Sequence, residues 1–165
     1  MKEPLPQRVS RWLAWIAGAV ILFGCAVPIT LDVLMRYFLN ESVIDSFEIS
    51  SYGLAISIGL GLAYTVTTKA HIRVDFLVTK LPFPLRAACD LLAACALAVV
   101  AAALAWFAWG TLAQSWAMDA RSMSRLRVPL VLPQGLWWLG LAWFACMAVL
   151  APVQAVLRLL RGDRA

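Results

Sequence analysis

The sequence predicts an all-α integral membrane protein with four transmembrane helices. Hydrophobic residues make up 63% of the chain and charged residues only 14%, which leaves too little polar surface to cover a water-soluble protein of this size. A helix needs about 20 residues to cross a bilayer core. Uncharged runs of at least that length cover residues 12–31, 49–68, 91–118 and 128–157.

The connections between these runs are too short to fold into a separate soluble domain. We therefore expect a single four-helix membrane domain over residues 1–165. The predicted helices lie at about 12–38, 49–68, 86–118 and 130–157.

Basic residues predict the orientation, because cytoplasmic loops of membrane proteins carry an excess of Lys and Arg. With the N-terminus in the cytoplasm, cytoplasmic segments hold 10 of the 14 Lys and Arg residues. We therefore expect both termini to be cytoplasmic. The outer segments then hold Arg36, Arg121, Arg125, Arg127, Asp32, Glu41, Asp45, Glu48 and Asp119.

The first predicted helix follows Lys2, Arg8 and Arg11, as the apolar core of a secretory signal follows its basic segment. Its apolar run is longer than such a core and reaches its polar end without a clear cleavage site, so we expect a retained helix. Asp32 and Arg36 stand four residues apart with the acid first, which favours an ion pair on one helical face. At the outer end of the helix such a pair costs far less than at the bilayer centre.

Two features surround the start of the second predicted helix. Residues 42–50 mix apolar and acidic side chains, and two interpretations stay open: a short amphipathic helix on the membrane surface between helices 1 and 2, or a solvated turn. Gly53, Ser57 and Gly61 then recur at steps of four, with Ala55, Gly59 and Ala63 beside them. Such small residues allow close helix contact. Packing inside the four-helix unit is the favoured interpretation, and a surface for another chain is the alternative.

A charged segment with His71, Arg73 and Asp75 returns the chain to the cytoplasmic side. His71 is the only histidine, and a metal or haem site needs further ligands. A polar loop or interface role is favoured over a proton relay. Further on, Pro129 and Pro133 predict a bent or re-entrant start of the fourth helix.

Residues that would carry catalysis are absent from the sequence. No predicted span has a charged residue at its centre, and no Ser/His/Asp set, phosphate-binding loop or C-x-x-C pair occurs. We expect no enzyme activity, no cofactor and no metal. Basic residues flank the spans instead of forming a stripe, so we expect no nucleic-acid binding. The four cysteines are interpreted as packing residues.

Several short motifs, in their order and spacing, resemble a known family. They are DVLMRYFLN at 32–40, DSFE at 45–48, HIRVD at 71–75 and LRVP at 126–129. Together they resemble the small membrane subunit, the DctQ-like permease, of tripartite ATP-independent periplasmic (TRAP) transporters. Four helices with both ends in the cytoplasm fit the pattern of that family.

The resemblance implies a function and partners. Such a subunit sits in a bacterial inner membrane beside a large permease subunit that carries an organic acid with sodium, and a periplasmic substrate-binding protein delivers the acid. The small subunit has no turnover of its own; it extends the static scaffold of the permease and contacts membrane lipids.

Two groups of residues are expected to serve these contacts. A structural or subunit-contact role is expected for Asp32, Arg36, Tyr37, Asn40, Glu48, Gly53, Ser57, Gly61, His71, Arg73, Asp75 and Pro129. Docking of the binding protein is expected at Glu41, Asp45, Arg121, Arg125 and Arg127, where a merely solvated rim is the alternative.

Two other classes of protein stay open. A small homodimeric four-helix exporter would need a membrane-embedded acid. A four-helix redox enzyme that generates disulfides would need outward-facing cysteine pairs.

Overall fold

The computed structural model describes residues 5–39, 45–68, 83–124 and 126–160. These residues are almost entirely helical. The elements are α1 (Leu5–Ala19), a π-helical segment (Val20–Ala26), α2 (Val27–Leu39), α3 (Ser46–Thr67), α4 (Phe83–Ala117) and α5 (Val131–Leu160). Four stretches within them are long and apolar enough to cross a membrane: Leu5–Leu39, Ser46–Thr67, Ala88–Ala117 and Val131–Val153. The predicted all-α fold with four membrane helices is confirmed.

The first span begins at Leu5, earlier than predicted. It contains the π-helical segment, a wide turn that the sequence pattern does not predict. In that turn Val27 donates its backbone N–H to the carbonyl of Leu22, five residues earlier. Pro28 follows at once. Because proline lacks an N–H and its ring crowds the carbonyl four residues before it, a locally widened helix accommodates the ring without ending the span.

The segment before α3 divides between described and undescribed residues. Residues 46–50 form the first turns of α3 and are continuous with its membrane-spanning part, so no separate surface helix exists over them. The remainder of the predicted surface helix, 42–44, lies outside the described residues. Asp45 precedes α3, and its backbone oxygen accepts the N–H groups of Glu48 and Ile49.

The principal packing runs from the first span to α3, from α3 to α5 and from α5 to α4. Antiparallel neighbours in sequence therefore pack as hairpins, and α3 and α5 join the two hairpins. A core of small and large apolar side chains forms where α3, α4 and α5 meet: Ala63, Ala101, Phe144, Met147 and Ala148. At another point of the α4–α5 hairpin the rings of Trp109 and Trp138 lie 4.9 Å apart.

The described residues of the loop between α4 and α5 fold back on one another. Arg121 and Pro129 form an isolated antiparallel bridge. The N–H of Ser122 donates to the carbonyl of Val128, and that of Leu130 to the carbonyl of Ala120. Pro133 lies inside the first turn of α5, where its missing N–H removes no helical hydrogen bond.

Candidate functional site

The described spans carry their charged side chains near their ends. Arg11 and Asp32 delimit an uncharged stretch of the first span, and Glu48 stands in the first turn of α3. In α4, Asp90 lies close to the first turns. Across the described part of the chain, no group of three or more His, Cys, Asp or Glu side chains is placed to hold a metal ion.

One polar cluster joins the end of the first span to the start of α3. Asp32 is buried, with 4% of its surface exposed, and its Oδ2 accepts from two groups. Arg36 Nη2 lies 3.2 Å away, and the Ser46 hydroxyl donates at 2.9 Å. The ion pair expected from the spacing is thus formed. Because the carboxylate also binds a residue of the next helix, it ties the two elements together.

A second cluster connects α3 to the loop between α4 and α5. The Tyr52 hydroxyl donates to Glu48 Oε1 at 2.6 Å, one helical turn away. The hydroxyls of Ser122 and Ser124 lie beside the same carboxylate. Its Oε2 is shielded from solvent. Glu48 is therefore placed to hold the loop against the start of α3.

The same loop presents basic side chains in a defined conformation. Asp119 and Arg127 have positive φ angles of 44° and 42°, which non-glycine residues adopt rarely. The Ser124 hydroxyl accepts the N–H of Leu126 at 3.1 Å. Arg121 pairs with Asp119 at 3.3 Å, and both side chains are largely exposed. An exposed pair of this kind contributes little to stability.

The small residues of α3 divide between two neighbouring helices. A Cβ added at Gly59 would lie 2.9 Å from the backbone oxygen of Trp137, and one at Gly140 would lie 2.7 Å from that of Gly59. At Gly53 the first obstacle is the Cys25 sulfur, at 2.7 Å. A Cβ added at Gly61 would have no atom within 4 Å. Packing inside the unit therefore occupies Gly53 and Gly59, but not Gly61.

Hydrogen bonds between helices supplement this packing. The buried Ser57 hydroxyl lies 2.7 Å from the carbonyl oxygen of Gly53 and 3.1 Å from that of Ala17 in α1. Trp143 of α5 donates from its indole nitrogen to the fully buried hydroxyl of Ser10, at 3.1 Å. The Ser57–Ala17 bond thus joins α1 to α3, and the Trp143–Ser10 bond joins α1 to α5.

The remaining predicted residues are placed as follows. Tyr37 is 79% exposed and its ring meets that of Phe38 edge to face. Pro129 is half-buried in the loop bridge. The predicted residues outside the described ranges are Asn40, Glu41, His71, Arg73, Asp75 and Arg125.

Several contact residues escaped the sequence-based prediction. Ser46, Tyr52 and Ser122 bind carboxylates that it had selected, but hydroxyl residues near helix ends carry no distinctive pattern. Gly140 is a glycine inside a long apolar helix, but so is Gly110, which has no atom within 4 Å of an added Cβ, so this pattern alone does not select Gly140. Ser10 and Trp143 are far apart in sequence, so no spacing rule connects them.

Comparison of the sequence with known protein families identifies the family of this chain. Residues 26–162 match the family described as the tripartite ATP-independent periplasmic transporters, DctQ component. No curated protein and no solved structure matches significantly. The matched region runs from the end of the π-helical segment through α2, α3, α4 and α5. It includes the Asp32 cluster, the Glu48 cluster and the close contact of Gly59 with Gly140. This multi-pass membrane protein therefore belongs to the DctQ component family of tripartite ATP-independent periplasmic transporters.

Proposed function

We propose that this chain is the small membrane subunit of a sodium-coupled TRAP transporter for organic acids in a bacterial inner membrane. The observation that carries the proposal is the family match over residues 26–162. In this role the chain scaffolds a large permease subunit and has no turnover of its own. Its partners are that permease, a periplasmic substrate-binding protein and membrane lipids.

The composition of the spans supports a scaffold role. Their central turns consist of small, apolar and hydroxyl side chains, which pack helices together. The buried charge of Asp32 is neutralised within the chain by Arg36, and the Ser46 hydroxyl donates to the same carboxylate, which supports a structural role for this cluster. Tyr37, beside it, is largely exposed and available to a partner chain. Gly61 also lies open at the surface of the unit.

The loop between α4 and α5 supports docking of a binding protein. Its bridge and backbone bonds hold Arg121 in a defined place, and Arg127 is exposed nearby. Preformed basic side chains attract acidic surfaces and speed their association. With both termini in the cytoplasm this loop faces the periplasm. Asp45, Glu41 and Arg125 would extend the docking surface.

Purification of the tagged full chain from its host in mild detergent tests the proposal. We expect mass spectrometry to identify a large polytopic permease in a near one-to-one ratio. Recovery of the chain alone, as a stable homodimer, would contradict the subunit role and favour the small exporter.

Arg36→Ala sharpens the test, because it leaves the buried Asp32 carboxylate without its guanidinium partner. We expect a lower yield of the permease complex and lower uptake, with unchanged preference among substrates. Arg8→Ala, which removes an exposed arginine from the other end of the first span, is the matched control. Unaltered complex yield and uptake in Arg36→Ala would refute the structural role proposed for the Asp32 cluster.

A further inference from the structure

A polar pocket lies between the beginning of α1 and the end of α3, at the opposite end of α3 from the Glu48 cluster. Its volume is about 270 Å³. The lining residues are Gln7, Arg11, Tyr64, Thr67 and Thr68. A guanidinium, a carboxamide and a phenol supply the donors. The Thr67 and Thr68 hydroxyls donate to the Tyr64 carbonyl, at 2.9 and 2.8 Å. This set suits an anion with several oxygen acceptors.

Arg11 determines the class of anion. A guanidinium forms paired, charge-assisted hydrogen bonds with phosphate oxygens. It has five N–H donors, so it can contact a phosphate while keeping other partners. Among the residues that the structure describes, the lining includes no carboxylate that would repel an anion. The pocket therefore favours a phosphate group.

The depth of the pocket matches the head-group region of a membrane. The first span has 35 residues, about 50 Å of helix, whereas the bilayer core is about 30 Å thick. Its uncharged part begins just after Arg11. Trp12 and Trp15 follow and are 66% and 73% exposed, as is typical of tryptophans at a membrane interface.

Two glycines leave an open surface below this pocket. Gly18 lies seven residues after Arg11, and Gly61 lies three before Tyr64, so each shares a helix face with a lining residue one or two turns deeper. A Cβ at either glycine would have no atom within 4 Å. Both helix surfaces thus have room for an acyl chain beside the pocket.

We propose that this pocket binds the phosphate of a membrane phospholipid, with an acyl chain lying along the surface at Gly18 and Gly61. The proposal is independent of which permease or substrate the chain serves. The same phosphate chemistry also fits a soluble phosphate ester, so the test separates the two sources.

Native mass spectrometry of the purified full chain, titrated with dioleoyl phosphatidylglycerol in neutral detergent, tests the head-group site. Arg11→Gln should weaken binding about tenfold, because charge-assisted bonds to phosphate are lost. Arg8→Gln, an equal charge change on an exposed residue that does not line the pocket, should bind as the unaltered chain does. Tyr64→Phe removes one donor and should weaken binding severalfold. Equal affinities for Arg8→Gln and Arg11→Gln would overturn the proposal.

Competition and a groove variant identify the source of the phosphate. Glycerol 1-phosphate at a hundredfold excess should not displace the lipid. Gly61→Leu should weaken lipid binding by filling the open surface, whereas Gly110→Leu, another glycine with no atom within 4 Å of a Cβ, should not. Displacement by glycerol 1-phosphate, or lipid binding unchanged in Gly61→Leu, would overturn the assignment to a phospholipid. Circular dichroism of each variant checks that it is folded.

Discussion

Helix α3 contacts two neighbours, and the two contacts are built differently. Against α5 the helix backbones approach each other directly, at Gly59 and Gly140. Against the first span, Gly53 also lies close to Gly24 and Cys25, but hydroxyl groups add direct bonds. Ser57 reaches the Ala17 carbonyl, and Ser46 reaches the Asp32 carboxylate.

The two neighbours of α3 also differ in how many of their residues are buried. In the most apolar stretch of each span, 28% of the residues are buried in α5 but only 6% in the first span. Lipid tails are as apolar as leucine, so apolar contact alone gives little force for association within a membrane. A span that buries little of itself depends more on directional bonds. A glycine contact depends instead on the absence of side chains.

Of the variants that test these two contacts, Gly140→Ala should lower the stability of the protein most. The new Cβ would overlap the backbone of Gly59, which cannot move aside as a flexible side chain can. We expect a loss of about 1–3 kcal/mol in the free energy of unfolding, measured by titration from mild detergent into SDS.

Gly110→Ala is the matched control for Gly140→Ala. A Cβ at Gly110 has no atom within 4 Å, and alanine favours helix over glycine, so stability should not fall. Equal stability of Gly140→Ala and the unaltered chain would show that the helices separate at no cost.

Asp32→Ala should have the next largest effect on stability. It acts on the contact between α3 and the first span. It removes the acceptor of Ser46 and Arg36 from a buried position, at a cost of about 1–3 kcal/mol in unfolding free energy. The control is Arg121→Ala, which breaks an exposed ion pair without placing alanine at the positive φ of Asp119, and should change stability by less than about 0.5 kcal/mol. Equal losses in the two variants would argue against a tie between the first span and α3.

Trp143→Phe tests the bond between α5 and α1. It leaves the fully buried Ser10 hydroxyl without its indole donor, and we expect a loss of about 1 kcal/mol. In the double variant Ser10→Ala, Trp143→Phe, the loss should be smaller than the sum of the single losses. Strict additivity would show that the two side chains do not interact.

Ser57→Ala should have the smallest effect. Its hydroxyl shares one proton between the carbonyls of Gly53 and Ala17, and interhelical hydrogen bonds in membranes average about 0.6 kcal/mol. The exposed Thr111 hydroxyl, which bonds only within its own helix, supplies the control Thr111→Ala. A loss for Ser57→Ala as large as that for Gly140→Ala would remove the distinction between the two contacts.

Most of the fold follows from the sequence because the bilayer imposes one length on every span. Four uncharged runs of at least 20 residues leave one helical solution. The π-helical segment at Val20–Ala26 could not be predicted from the sequence. Pro28 signals an irregularity, but whether a helix bends, breaks or widens at a proline depends on what packs against it. Here Gly53 of α3 meets Gly24 and Cys25 of the widened segment.

The small residues of α3 also show what the sequence predicts and what it leaves open. Their spacing predicts a close helix contact but does not tell one partner from another. Gly53, Gly59 and Gly61 are alike in sequence terms, yet they meet the first span, α5 and open space respectively.

By itself the sequence determined the number of spans, the helical class, the ion pair of Asp32 with Arg36 and the resemblance to the DctQ component. These depend on length, local periodicity and short motifs, which neighbouring residues carry. Only the tertiary structure decided that Ser46 completes the Asp32 cluster, that Ser122 lies beside Glu48 and that Gly140 meets Gly59. Such pairings depend on how far one helix slides and rotates against another, which is settled by side chains distant in sequence that come together only on folding.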